Sequence, residues 1–297
     1  MVIETSKDYH VEFRGLRFDY RLLMIVPVLF LLASVLVLYA QYNSTGEWFK
    51  RSIELRGGTL VNVETTEPVA VPEIEGILGN EFGSVLVRSL SGFGSHGVSI
   101  QMGEDIDHEA VVQKLKDNGI GIIDYSLENV GSALSSVFWS QAQTGIIIAF
   151  IMMGLIAFIV FRTFVPSIAI IMSAASDIIV TLGLMQVFGI EFSLASLGAL
   201  LMLIGYSVDT DIMLTSRLLR SEEEGSISDK IMRAVKTGLT MTLTSIGAMA
   251  AILVIPLPTV LVQIASVILI GLIIDIANTW LFNSVLLRWY CESRGIA

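Results

Sequence analysis

The sequence predicts an α-helical polytopic membrane protein with six transmembrane helices and an exterior α+β ferredoxin-like domain between helices 1 and 2. Three observations carry that expectation. Apolar runs of roughly bilayer length recur six times along the 297 residues. One stretch, residues 43–141, breaks the pattern with short alternating segments, turn residues and charge. Lys and Arg concentrate in connections that six alternating crossings place on one side. Composition agrees: 54% hydrophobic, 15% charged, mean hydropathy +0.74. That is too apolar and too charge-poor for a soluble enzyme of this length.

Residues 1–21 are polar and carry Lys7, Arg14, Arg17 and Arg21. The first apolar run, Leu22–Tyr39, is long enough to span, so helix 1 is expected over residues 22–42. A long polar flank precedes it and no small-x-small cleavage site follows, which argues for an uncleaved helix rather than a signal peptide. In residues 43–141, Ser52–Glu64 alternates like a strand around a Gly57-Gly58 break. Val71–Phe82 has helical spacing. Ser84–Leu90 and Val98–Met102 alternate as strands about a Ser91–Ser95 hairpin loop. Ile106–Asn118 is a second amphipathic helix with Ala110, Val111 and Leu115 inward, and Ile120–Tyr125 a last strand. The order β-α-β-β-α-β is the ferredoxin-like split motif.

Five more runs follow, at Ile146–Phe161, Val165–Phe188, Phe192–Leu214, Leu239–Ile255 and Val260–Leu286. They form a five-helix bundle over 142–288, and 289–297 is a polar C-terminus. Basic residues lie at the N-terminus, at Arg162, at Arg217, Arg220, Lys230, Arg233 and Lys236, and at Arg288 and Arg294. The positive-inside rule makes that face cytoplasmic, with both termini inside and 43–141 outside a multi-pass protein of the cell membrane. The lipid bilayer is therefore the first partner.

The net charge of −10 argues against nucleic acid. A single cysteine, Cys291, excludes an intrachain disulfide and a Cys-based zinc site. His10, His96 and His108 lack metal-ligand spacing. No nucleophile, phosphate loop or metal constellation is present, so neither an enzyme nor a cofactor is expected.

The stretch Leu197–Arg217 organises the remaining argument. It is apolar enough to span, yet carries Asp209 and Asp211. A carboxylate near the centre of a membrane helix costs roughly 2.5–3.5 kcal/mol. At about 100° per residue the two point to nearly opposite sides. Asp209 shares its face with Gly205, Tyr206, Ile212 and Met213. Asp211 shares its face with Ser207, Val208 and Thr215 and lies closer to Arg217. The expectation is that Asp209 is the interior carboxylate and Asp211 the start of the wet cytoplasmic end. Asp177 lies mid-span beside Ser173, Ser176 and Thr181, and Asp275 mid-span with Asn278 and Thr279 one turn on. Three charged, unpaired carboxylates on three helices would cost roughly 8–10 kcal/mol, and no Lys or Arg lies centrally. Two solutions stay open: protonation, because burial and like charge disfavour the ionised form, or static interhelical hydrogen bonds.

These residues resemble a known family. Gly57-Gly58-Thr59 after Ile-Glu-Leu-Arg, Ser176-Asp177-Ile178 with Leu182-Gly183, and Ile204-Gly205-Tyr206-Ser207-Val208 followed by acids and Arg217 are similar to signatures of the SecD/SecF protein-export family. The likeness is to its SecF branch in the archaeal form and covers nearly the whole chain. It implies an accessory subunit acting with SecD and the Sec translocon channel on translocating polypeptide, in a fold related to resistance-nodulation-division transporters. It also implies a protonatable group of Asp177, Asp209 and Asp275 at the interface with SecD, and an outer domain swinging on Gly57-Gly58. Two departures stand out. Asp209-Thr210-Asp211 replaces the Asn-Asp-Thr of bacterial SecF. An arginine that bacterial members carry at the start of the fifth span is replaced by Thr237 or Thr240, with Lys236 the nearest cation. Two other readings are a passive scaffold, whose acids only hold helices together, and half of a small-molecule exporter. The exporter would need a larger outer domain or a second repeat.

Overall fold

Among the described residues, six helices long and apolar enough to cross a membrane dominate the architecture. The computed structural model describes residues 10–13, 16–82, 85–92, 95–103, 105–220, 226–255 and 257–295. A short hairpin, β1 (His10–Phe13) paired with β2 (Leu16–Asp19), precedes the first span; Lys7 and Arg14 lie outside the described residues. A 3-10 turn at Tyr20–Met24 leads into α1 (Ile25–Thr45).

The expected strand over Ser52–Glu64 opens with a helical turn rather than a strand. Ile53–Arg56 forms one turn, α2, and the strand β3 begins at Gly58 and ends at Thr65. Four residues are too few to distinguish a period of 2 from one of 3.6. The apparent alternation arises because Ile53 lies near Gly58 while Leu55 reaches the bundle core. Then follow α3 (Val71–Phe82), β4 (Leu86–Gly92), β5 (Ser95–Met102), α4 (His108–Asp117) and β6 (Ile122–Val130). The hairpin tip at Phe93-Gly94 lies outside the described residues. The strand order is β4-β5-β3-β6, all antiparallel, the ferredoxin-like arrangement. Val61, Val63, Val98 and Ile100 of the sheet pack on Ile74 and Leu78 of α3 and Val111 and Leu115 of α4.

The remaining spans are α5 (Ser132–Phe161), α6 (Phe164–Val187), α7 (Leu194–Arg220), α8 (Ile227–Val254) and α9 (Thr259–Ala277). α9 passes through a π-helical segment, Asn278–Asn283, into α10 (Ser284–Arg294) without a break. α5 starts ten residues before the expected boundary at 142, so the span projects beyond its apolar run toward the sheet domain. α6 is central: 61% of its apolar window is buried, against 11% for α1 and α8. Gly183 lets α1 approach it, since a Cβ there would lie 2.6 Å from Ser34 Cβ. Large apolar side chains such as Leu29, Leu36, Ile151 and Ile159 point outward, as lipid-facing positions do. At the end opposite the outer domain, Arg220 donates to the Val160 carbonyl and lies over the Phe161 ring, bringing the α5 and α7 termini together.

The Gly57-Gly58 pair is fitted rather than loose. Gly57 has φ 86° and its added Cβ would lie 3.2 Å from Ser132 Cα at the start of α5; Gly58 has φ 136° and would meet the Met102 carbonyl at 2.5 Å. Both need glycine, for a left-handed backbone and a close approach. Thr59 is buried and accepts from Asn129 Nδ2 at 3.0 Å. A second tie holds the domain down. Glu191, in the α6–α7 loop, is buried; it pairs with Arg88 of β4 at 3.0 Å and accepts from Gln101 of β5 at 2.8 Å, while Gln263 of α9 donates to its carbonyl at 2.9 Å. Lys50 and Ser52 also exchange backbone hydrogen bonds with Phe192, and Glu54 accepts from the Leu194 N–H at the start of α7. These contacts oppose the free swing expected from the glycines.

Gly183→Ala is expected to lower stability by about 1–3 kcal/mol, because the Ser34 backbone must give way. Gly205→Ala, at a site with nothing within 4 Å, is expected to stay within about 1 kcal/mol of the parent. Thermal unfolding of the purified protein in detergent checks both.

Candidate functional site

Polar side chains from α6, α7, α9 and the π segment meet inside the bundle. On α6, Asp177 lies one turn from Ser173 and Thr181, and all three are buried. On α7, Ser207, Asp211 and Thr215 recur every fourth residue and form a buried polar stripe continued by Leu200, Ile204 and Leu218. On the last span, Asp275, Thr279 and Asn283 repeat the same spacing, with Asn278 beside them; all four are buried.

The π segment makes the last set converge. In an α-helix, residues five apart are about 140° apart around the axis. The wider i→i+5 turn, seen in the Ser284 N–H bonding to the Thr279 carbonyl, brings such residues toward one face. Asn278 Nδ2 then donates to Asp177 Oδ1 at 2.6 Å and to Ser176 Oγ at 3.1 Å, while Asn283 Nδ2 donates to Asp211 Oδ1 at 2.7 Å. Ser207 Oγ donates to Asp177 Oδ2 at 2.6 Å.

Thr279 sits between two carboxyls. Its Oγ1 is 3.0 Å from Asp211 Oδ1 and 3.1 Å from Asp275 Oδ1. A hydroxyl has one proton to give. Thr210 is in the same position: its Oγ1 is 2.8 Å from the Ser207 carbonyl and 3.3 Å from Asp275 Oδ2. The donors around Asp275 are thus shared with other acceptors. Asn283 Oδ1 and the hydroxyls of Thr181 and Thr215 are buried without a hydrogen-bond partner among the described residues. Among the described residues none of the carboxyls of Asp177, Asp211 and Asp275 pairs with Lys or Arg. Lys236 is exposed, and Arg217 donates to Thr237 Oγ1 at 3.1 Å between α7 and α8, away from the carboxyls.

The structure therefore brings together Asp177 and Asp275 and corrects the assignment on α7. Asp211 is fully buried in the cluster, and Asp209 is exposed on the outer side of the helix with Gly205. The sequence geometry rightly set the two on opposite faces. Nearness to Arg217 is a poor guide to depth here, because α7 stays buried past Asp211, at Leu214 and Leu218. Tyr206 is half-buried against the bundle core. Thr210 and Asn283 were missed. The Asp275-Thr279-Asn283 repeat was the available signal for Asn283; for Thr210, only its place next to Asp211.

Asp211→Ala removes the acceptor for Asn283 and one of two for Thr279, and is expected to cost about 1–3 kcal/mol. Asp209→Ala is expected to cost no more than about 0.5 kcal/mol. Chemical or thermal unfolding of the two variants side by side separates inner from outer carboxylate.

The comparisons with known proteins point one way. The family described as "Protein export membrane protein SecD/SecF, C-terminal" matches residues 110–293. The protein-export membrane protein SecF of Methanothermobacter thermautotrophicus is 41% identical over 282 residues, covering 93% of this chain and 94% of its own. That of Pyrococcus furiosus is 36% identical over 277 residues, covering 93% of each. Among solved structures, SecDF from Thermus thermophilus, described as a translocon-associated membrane protein, superposes with a TM-score of 0.72 at 20% identity. The match covers 95% of this chain and 40% of that one, so the chain spans about two fifths of the SecDF chain and the likeness is one of fold. With the family matched over more than half its residues and relatives this similar along nearly its whole length, the chain belongs to the SecD/SecF family of protein-export membrane proteins.

Proposed function

We propose that this chain is an accessory subunit of Sec protein export. It works beside a SecD partner at the translocon channel in the cytoplasmic membrane, with both termini inside and the ferredoxin-like domain outside. Support for the role comes from the names of its relatives. Support for the orientation comes from the basic residues at the end of the bundle opposite the outer domain. Asp209 and Gly205, turned outward on α7, offer a carboxylate and a flat surface where a second six-helix bundle would sit.

The cluster's part in this is to bind and release a proton. The observation that carries the reading is Thr279 placed between Asp211 and Asp275 with one proton to donate. If Asp275 carries a proton, it donates to Thr279, and Thr279 donates to Asp211, so both contacts are hydrogen bonds. If that proton leaves, one contact becomes an unsatisfied carboxylate facing two others in a low-dielectric interior, where repulsion is strong. Relief requires α6, α7 and α9 to shift or water to enter. Because Glu191 joins the α6–α7 loop and α9 to the outer sheet, such a shift moves the outer domain with the bundle. Protonation thus biases a two-state bundle, and the outer domain reports the bias to the emerging polypeptide.

A passive scaffold is favoured by a different observation: each of the three carboxyls has a side-chain donor within hydrogen-bond distance, though those at Asp275 are shared. Asn substitutions at 177, 211 and 275 separate the readings. Coupled export predicts that each single variant assembles with its partner at parental abundance yet slows secretion several-fold in a pulse-chase assay. Unchanged secretion in the triple variant, with lower stability of the detergent-extracted complex, would leave only the scaffold.

A further inference from the structure

The outer domain is acidic as a whole, but its membrane-facing collar is not. Between residues 43 and 141 the only Lys and Arg residues are Lys50, Arg51, Arg56, Arg88, Lys114 and Lys116. The first three line one cavity of about 370 Å³ at the outer end of α1, together with Gln41, Glu47 and Glu191. Arg88 stands next to it through its pair with Glu191.

The carboxylates there are already engaged. Glu47 pairs with Arg51. Glu191 is held by Arg88 and Gln101. Glu54, which neighbours the site in sequence, accepts from the Leu194 N–H. That leaves the Lys50 ammonium and the Arg56 guanidinium, both exposed, lining the cavity with no side-chain hydrogen bond or ion pair to any described residue. Two cations left over beside a cavity whose wall also includes Val85 and Leu86 fit an anion that takes several hydrogen bonds, and Arg binds phosphate oxygens bidentately.

The depth of the site is given by its surroundings. Tyr42 and Trp48 stack with centroids 4.6 Å apart, both exposed, at the end of the outward-facing apolar surface of α1. Arg51 lies 5.0 Å over the Trp139 ring. Aromatic rings at the end of an apolar span mark headgroup level, so the cavity opens where lipid phosphates lie.

We propose that this cavity binds a phosphate group, held by Lys50 and Arg56 with Arg51 forming its wall. The group is either the phosphodiester of an anionic lipid or free inorganic phosphate. A bound lipid phosphate would tether the collar to the membrane surface beside the Glu191 contact. The inference does not depend on export or on proton transfer.

The test uses the full chain in detergent. Phosphatidylglycerol or phosphatidylcholine is added and retention is read by native mass spectrometry; inorganic phosphate is tested separately by thermal shift. The variant Lys50→Gln/Arg56→Gln is compared with Lys114→Gln/Lys116→Gln, which removes the same charge elsewhere on the domain. The expected result is that parent and control retain phosphatidylglycerol over phosphatidylcholine and the cavity variant retains roughly tenfold less. Retention with no response to inorganic phosphate identifies the lipid as the source. A phosphate-induced shift lost only in the cavity variant, without lipid retention, identifies the free ion. Absence of both effects in the parent, or equal loss in the two variants, overturns the site.

Discussion

The structure depends on one constraint: three carboxyls, from α6, α7 and α9, share a buried space that no Lys or Arg enters as an ion-pair partner among the described residues. Outside a membrane, such groups could turn to water. Here the helices that carry them are packed by apolar side chains, so the carboxyls must be served by hydroxyls and amides from neighbouring spans. Ser207, Asn278, Thr279 and Asn283 do this, and the π segment is what lets the last three reach. The helix that would be simplest to build straight is widened where the polar residues converge, and such wide turns cluster at functional positions.

Packing explains why the cluster keeps its shape. Gly183 admits α1 to the side of α6, and Gly271 and Gly238 admit Leu203 and Trp280 where a Cβ would collide. The bundle is therefore tight around its polar centre and greasy outside, the reverse of a soluble protein. The outer domain has its own small core of Val, Ile and Leu residues. It is joined to the bundle by fitted glycines and by one buried glutamate rather than by a flexible linker. Glu191, through Gln101 and Gln263, ties the α6–α7 loop and α9 to that domain's sheet.

Much of this was legible in the sequence. Long apolar runs specify spans because a bilayer demands them, and the alternation of residues such as Val61 and Val63 or Val98 and Ile100 specifies strands of a half-buried sheet. Asp177 and Asp275 stood out because acids are rare at mid-span. What stayed hidden had physical causes. Ile53–Arg56 is too short for its period to show. Asp211 lost to Asp209 because nearness to Arg217 suggested a wet helix end, whereas which face of α7 is buried depends on packing against α6 and the last span. The convergence of Asn278 with Asn283 depends on a backbone widening that no side-chain pattern announces. Glu191 meets Gln101 and Arg88 from 90 or more positions away, and nothing local in the sequence links them.

Infrared difference spectroscopy of the reconstituted protein, recorded as the pH is cycled, bears most directly on whether these carboxyls exchange a proton. The account predicts a protonated-carboxyl C=O band that appears and disappears with pH, is lost in Asp275→Asn, and persists in Asp209→Asn. A spectrum with no such band, or one unchanged by Asp275→Asn, would contradict it.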